Sequence, residues 1–438
     1  MDTAPAAILI VVVLLLFLGT GLWVFASMIL TAVVSLYFVN DFDATRIGFI
    51  MHPVIQRSVT TYEVAALPMF IWMAEILFKS RLSEQIFRGL APWLDWLPGR
   101  LFHVNVIGCG IFGSVSGSST ATCATIARIA LPELKRRGYN ERMSIGSLAG
   151  AGTLGILIPP SISMVIYAIT ANVSLIQLFL AGFLPAVLVM ALFSGYIALR
   201  TTRNPEWCPP SGVKLSLSEK LHESRQLIPT LLLIAFIFVA LVWGLVTPNE
   251  CAAWGVVGSL AVTYWSGGLS WQSFWRSAVG AARITCMILI IVASASLLSA
   301  AMAYSLIPAK MATFVGTLGL APIVLILALT LVYVVLGTAL DGVSLIVLTA
   351  PVVIPLVTQA GYDLVWFGIY MVMVIEMAEI SPPVGFNLFV LQNMTGHSNA
   401  FVSLAALPFF ILLVFAVFVI SLFPDVVMVL PRIAFPLS

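Results

Sequence analysis

Apolar runs of membrane-crossing length alternate along this 438-residue chain with short polar stretches. Residues 5–25 and 27–39 are the first such runs, joined near Gly19 and Gly21, and a polar stretch at 40–46 follows. The next predicted crossing, 61–78, holds Glu63, Pro68 and Glu75. Acids are costly in lipid, so this helix is expected to face protein or water over part of its length. Residues 81–99 place Ile86, Leu90, Trp93, Leu94 and Leu97 at helical spacing, with Glu84, Arg88 and Asp95 opposite. That spacing predicts an amphipathic helix lying in the membrane interface. From Gly108 to Tyr139 an apolar run is interrupted at 114–122 by small hydroxylated residues, which predicts a helical hairpin dipped into the membrane with its tip at 116–120. The plainer alternative for such a cluster is a small-residue packing seam between helices. Residues 141–173 form a span broken at Ile158-Pro159-Pro160-Ser161, and 175–199 cross once more.

The second half repeats the first. Aligning Pro159-Pro160 with Pro382-Pro383 sets an offset of 223, from 159 to 382. At that offset Leu131-Pro132 falls on Ile354-Pro355, Gly138-Tyr139-Asn140 on Gly361-Tyr362-Asp363, and Leu184-Pro185 on Leu407-Pro408. Residues 229–248 fall on the first apolar span, and Ser118 falls on Asp341, within a second apolar run interrupted by small and polar residues at 336–344. A second hairpin is therefore expected. Lys79, Arg81, Arg88 and Arg100 precede the first hairpin, and Arg128, Lys135, Arg136, Arg137 and Arg142 follow its tip, so both of its ends are expected to be cytoplasmic. The second hairpin lacks such a cluster. Five net crossings per repeat, an odd number, invert the second copy, and counting back from the cytoplasmic hairpin ends puts the N-terminus outside, provided that 27–39 is a true crossing.

Composition agrees with this reading and narrows it. The chain is 61% hydrophobic and 9% charged, with a mean hydropathy of +1.11, values that predict an all-α polytopic membrane protein. The net charge is +2, and no basic tract is interleaved with aromatics, so no nucleic-acid partner is expected. Cys109, Cys123, Cys208, Cys251 and Cys286 are scattered, and the four histidines have no metal-ligand spacing. These counts point away from a disulfide framework and a transition metal. A phosphate-binding G-x-x-x-x-G-K-[ST] motif is absent, as is a nucleophile-base pair, which argues against an ATPase or another enzyme. The N-terminal apolar run has no basic n-region and continues past twenty residues, so it reads as a retained helix.

Several motifs occur in order: LPMF (67–70), FGSVSGSSTAT (112–122), LPELKRRGY (131–139), AGTLGILIPPS (151–161), FLAGFLPA (179–186) and ISPPVGFNLFVL (380–391). With them, over nearly its whole length, the chain resembles the large membrane subunit of tripartite ATP-independent periplasmic (TRAP) transporters, within the wider ion-transporter group of elevator folds. The resemblance implies a sodium-driven importer of organic anions such as dicarboxylates or sugar acids. It further implies a periplasmic substrate-binding protein and a small membrane subunit as partners, and a place among the lipids of the bacterial cell inner membrane. The alternative is a stand-alone sodium/anion symporter or an exporter of the same superfamily. Glu376 matches the family pattern, whereas Glu63, Glu75 and Glu379 stand where the family is usually apolar or glycine.

Within that frame the expected division is 1–100 as scaffold helices and amphipathic helix, 101–200 as first transport repeat, 201–227 as cytoplasmic linker, 228–310 as second scaffold segment and 311–438 as second transport repeat. Sodium needs several oxygen ligands, and helix breaks free carbonyls at membrane depth. One cation-site hypothesis joins Ser116, Gly117, Ser118 and Ser119 to Gly152, Thr153, Pro159, Pro160 and Ser161. The other joins Ala339, Asp341, Gly342 and Ser344 to Ser381, Pro382, Gly385 and Asn387. Asp341 must be paired, protonated or bound to a cation; its competing role is a helix cap. Glu376 and Glu379 lie one turn apart and are read as coupling or structural acids, Glu63 and Glu75 as structural ones. A carboxylate substrate is expected at the half-helix N-termini, with Arg128 and Arg283 as interfacial anchors. No cofactor is expected besides the coupling sodium ion.

Overall fold

The computed structural model describes residues 3–80, 82–209, 216–225, 227–317, 322–338 and 340–435, and every regular element among them is helical. The first half runs α1 (Thr3–Gly19), α2 (Val24–Val34, continued by a π-helical turn, Ser35–Val39), α3 (Ala44–Thr60), α4 (Ala66–Phe78), α5 (Leu82–Leu94), α6 (Leu101–Ser116), α7 (Ser119–Arg136), α8 (Glu141–Thr153), α9 (Ile162–Ala171) and α10 (Leu175–Arg203). A linker helix, α11 (Leu217–Ser224), leads into α12 (Ile228–Val242), α13 (Pro248–Trp265), α14 (Trp271–Tyr304), α15 (Ile307–Thr317), α16 (Pro322–Gly337), α17 (Gly342–Gln359), α18 (Leu364–Glu379), α19 (Phe386–Thr395), α20 (Asn399–Leu422) and α21 (Asp425–Ala434). The element bounds follow the offset read from the sequence. Adding 223 to Ser119–Arg136 gives Gly342–Gln359 at both ends.

Helix starts repeat with the elements. Ser118 caps α7 through the Ala121 amide, and its counterpart Asp341 caps α17 through the Ser344 amide. Asn140 caps α8, and its counterpart Asp363 caps α18 through the Val365 and Trp366 amides. The same local signal therefore sets the same element in each half.

Two elements differ from expectation. Residues 44–60 form α3, a helix the sequence pattern did not predict, capped by Asp43 and carrying Pro53 inside it. Of its residues Ile47 is buried, and it lies along α14. In the second half the equivalent of α3 plus α4 is the continuous 34-residue α14. The first half breaks there because Thr61 turns extended, with φ −66° and ψ 148°.

The predicted amphipathic helix is α5, which buries Leu82, Ile86, Phe87 and Leu94. Trp93, expected on that stripe, is 39% exposed. Its Nε1 donates to Ser224 Oγ at 2.7 Å, while the Ser224 hydroxyl lies 2.9 Å from the Gly89 carbonyl oxygen. Ser224 thus ties the linker helix α11 to α5. Ser224→Ala is expected to lower stability by about 1 kcal/mol, read as a fall in the unfolding midpoint of the detergent-solubilised protein.

The deepest core lies around the first arms of the two broken helices. Every residue from Met143 to Thr153 in α8 and from Val365 to Glu379 in α18 is buried. Among the described residues, four helices are by themselves long and apolar enough to cross a membrane: Leu175–Arg203, Trp271–Tyr304, Gly342–Gln359 and Asn399–Leu422. The third is the second arm of the predicted second hairpin. In the first hairpin α6 and α7 pack along each other; in the second, α16 rests chiefly on α18 and touches α17 less.

Candidate functional site

Hairpin tip 1 is a two-residue reversal between α6 and α7. Gly117 turns the chain at φ +59°, a left-handed conformation that favours glycine. Ser118 then turns extended and caps α7. Ser116 Oγ and Thr122 Oγ1 are 2.6 Å apart, and the Thr122 hydroxyl donates to the Ser118 carbonyl at 2.7 Å. These hydroxyls hold the reversal in shape. At tip 2, Asp341 Oδ1 accepts from the Ser344 hydroxyl at 2.6 Å and Oδ2 accepts from its amide at 3.2 Å. The helix-cap role is therefore filled by Asp341.

Both breaks contain a cis proline bond, Pro159-Pro160 and Pro382-Pro383. Ser161 caps α9 through the Met164 amide and donates its hydroxyl to the Ile156 carbonyl at 2.6 Å. Tip 1 sits against the first break with little space between backbones. A Cβ on Gly155 would lie 2.6 Å from the Ser118 carbonyl oxygen, and one on Gly113 would lie 2.6 Å from Gly155 Cα.

The two halves also interlock, which the pairing of each hairpin with its own break did not anticipate. α7 packs on α19, and α17 packs on α9. Asn387 Nδ2 donates to Ser119 Oγ at 2.8 Å, and Ser119 and Glu379 line the same cavity. A polar contact thus joins tip 1 to the start of α19.

Around this junction is a cavity of about 300 Å³. One wall is made of Ser116, Gly117, Ser118 and Ser119 with Thr120 and Ala121 from tip 1, Asp341, Gly342 and Val343 from tip 2, and Glu379. Ile156, Ile162 and Ser163 border the first break. The facing wall is Ile71, Ala74, Glu75 and Phe78 of α4 with Ile284, Met287 and Ile288 of α14. Sequence reasoning missed this second wall, although the costly Glu75 had marked α4 as facing protein or water. Glu75 is paired with Lys79 at 2.7 Å, in keeping with a structural role, and Lys79 also donates to the Arg276 carbonyl at 2.7 Å.

The remaining predicted residues that the structure describes do not line the cavity. Gly152 packs against Cys123, and Thr153 donates to the Gly150 carbonyl at 2.8 Å. Pro159, Pro160, Ser161, Ser344, Pro382, Gly385 and Asn387 are not among the cavity's lining residues, and Ser381 donates to the Ala378 carbonyl at 2.9 Å. Ala339 and the side chain of Glu63 lie outside the described residues. Glu376 is fully buried, and neither carboxylate oxygen has a hydrogen-bond partner among the described residues. Glu379 is 5% exposed, and its Oε2 likewise has none.

Chemically, the wall offers hydroxyls, carboxylates and the first-turn amides of α7 and α17, which suit small polar ligands and hard cations. The family described as "Tripartite ATP-independent periplasmic transporter, DctM component" matches residues 10–426. The C4-dicarboxylate TRAP transporter large permease protein DctM of Pseudomonas aeruginosa is 31% identical over 374 residues, covering 85% of this chain and 86% of that one. The isethionate TRAP transporter permease protein DctMQ of Oleidesulfovibrio alaskensis is 26% identical over 372 residues, covering 85% of this chain and 58% of that longer one. In fold, the chain is similar to the crystal structure of the Alcanivorax borkumensis YdaH transporter, with a TM-score of 0.67, 14% identity and 91% of each chain covered. Fold, tips and relatives agree on a transporter component and not an enzyme, and the chain belongs to the DctM component family of tripartite ATP-independent periplasmic transporters.

Proposed function

We propose that this TRAP permease subunit imports organic anions across the bacterial inner membrane on a sodium gradient, by an elevator movement, from a periplasmic binding protein and with a small membrane subunit. The observation that carries the reading is the shared cavity: tips from both repeats form one wall and α4 with α14 form the other. Sodium, coordinated near the tips by hydroxyls, freed carbonyls and Asp341, orders them; substrate then binds between them, each raising the affinity for the other. The hairpins and broken helices, as a transport unit, move against the helices of 1–100 and 228–310. The two repeats have opposite orientations, with the first hairpin entering from the cytoplasm and the N-terminus periplasmic. The isethionate and C4-dicarboxylate relatives support an anionic substrate.

The test is reconstitution. The ligand of the cognate binding protein is first identified by thermal-shift screening, then supplied to proteoliposomes holding the chain and its small subunit. Uptake is expected to require the binding protein and an inward sodium gradient, and to fall to background when potassium replaces sodium. Equal uptake without binding protein would favour a stand-alone symporter instead.

A further inference from the structure

The scaffold side of the cavity carries one charge more than it uses. Along the facing stretches of α4 and α14, from Ala66 to Lys79 and from Gly280 to Ile288, the charged residues are Glu75, Lys79 and Arg283. Lys79 pairs with Glu75 at 2.7 Å and donates to the Arg276 carbonyl at 2.7 Å. The Glu75 carboxylate lies over Gly280, where an added Cβ would come 2.5 Å from Oε2. Those two charges cancel. Arg283 is exposed and makes no ion pair or side-chain hydrogen bond among the described residues.

Its depth makes an unpaired charge costly. α14 is long and apolar enough to cross the membrane, and the exposed Trp271 and Trp275 at its start are side chains that settle at a membrane–water boundary. Arg283 follows Trp275 by eight residues, about 12 Å deeper along the helix axis. An interfacial anchor, the role its sequence context suggested, would sit level with those tryptophans. A guanidinium this far in must instead face protein, water or an anion. The cavity supplies that setting. Ile284, Met287 and Ile288 line it, and Met287, one turn after Arg283, shares its side of the helix. Val279, Cys286 and Ile290, on the outward stripe, are exposed and apolar. Arg283 thus stands at the rim between that stripe and the cavity.

We propose that Arg283 is an anion-binding residue of the scaffold wall, its guanidinium receiving an acid group of the substrate at the cavity rim. A planar guanidinium holds a carboxylate or sulfonate through two parallel N–H bonds. Glu75, the acid on its own wall, is already held by Lys79, and across the cavity both oxygens of Asp341 accept from Ser344. The inference rests on the transport reading above and adds a scaffold-side contact to it. Because α14 belongs to the scaffold, the contact exists only while the tips stand opposite this part of the helix. It therefore raises affinity in this position of the transport unit and not in the other.

The test reads the charge and the anion at the rim. Cys286→Ala removes the exposed native thiol, and Met287→Cys then puts a reporter thiol on the cavity wall one turn from Arg283. The purified full chain with its small subunit, in sodium chloride, is labelled with two methanethiosulfonate reagents of similar size, one ending in a sulfonate and one in a trimethylammonium. Their rate ratio is normalised to that with 2-mercaptoethanol. Arg283→Gln removes a positive charge beside the thiol and is expected to lower the sulfonate-to-ammonium ratio about tenfold. Arg283→Lys, which keeps the charge, is expected to stay within about threefold of the parent. Excess sodium isethionate is expected to slow the sulfonate reagent in the parent and not in Arg283→Gln, and the parent's response decides the matter even if that variant folds poorly. A ratio unchanged by Arg283→Gln, or a thiol that neither reagent reaches, overturns the inference and makes Arg283 a lipid or subunit contact. A parent that isethionate does not slow overturns it too, leaving a charge that holds no acid. Sodium-driven uptake, measured separately by reconstitution, stands or falls independently of these rates.

Discussion

Gly155→Ala is expected to abolish transport and to lower stability by about 2 kcal/mol. Its added Cβ would lie 2.6 Å from both the Ser118 carbonyl oxygen and Thr122 Oγ1. The first is backbone at the hairpin reversal, and the second is held by Ser116 and by the Ser118 carbonyl, so neither can give way cheaply. Gly113, on the same contact, would meet Gly155 Cα at 2.6 Å, which makes this a backbone-to-backbone approach of hairpin and break. Pushing the tip outward displaces Ser116–Ser119 from the cavity wall and strains the Asn387–Ser119 hydrogen bond. Gly195→Ala is the control. That glycine lies within α10 with nothing within 4 Å of an added Cβ, so helix stability and uptake should be unchanged or slightly improved. Unfolding midpoints and initial uptake rates of the two variants, measured side by side, separate the specific contact from a general effect of adding a methyl. Normal uptake in Gly155→Ala would mean that tip 1 and the first break do not need to stay in contact.

The repeat was legible because proline punctuates it. Two Pro-Pro breaks and two Leu-Pro pairs at one offset fix the alignment, and the caps Ser118 and Asp341, Asn140 and Asp363, start corresponding helices. α3 was not legible, because Arg46, His52, Pro53, Gln56 and Arg57 break any apolar run in it, and most of its surface stays outside the core. The tips could be read from hydroxyls and glycines in an apolar context. The opposite wall could not: Ile71, Ile284, Met287 and Ile288 look like any lipid-facing residues until the chain is folded. Only Glu75 carried a signal there, through its cost. The cross-link from Asn387 to Ser119 was invisible for a related reason. It joins residues 268 apart, in different repeats, and each has an ordinary local explanation.

Asp341→Asn is expected to raise the sodium concentration for half-maximal uptake about tenfold while leaving stability in sodium-free buffer within about 1 kcal/mol of the native value. The two effects separate because Asp341 serves two chemistries. As a cap, it accepts from the Ser344 amide, and asparagine caps helices about as well as aspartate. What asparagine lacks is the charge and the second acceptor that now takes the Ser344 hydroxyl at 2.6 Å. A sodium ion near tip 2 would draw on that charge, with the Ser344 hydroxyl turning from donor to Asp341 into ligand to the ion. A pure cap needs neither. Asp341 is also exposed to the cavity and not sealed within protein, so an ion in the cavity can reach it. Sodium titrations of uptake, paired with unfolding midpoints with and without sodium, give the answer. A native sodium dependence in Asp341→Asn would reduce Asp341 to its cap, and the counterpart Ser118 would then describe both tips: side chains that start a helix, with the ion held elsewhere by backbone carbonyls.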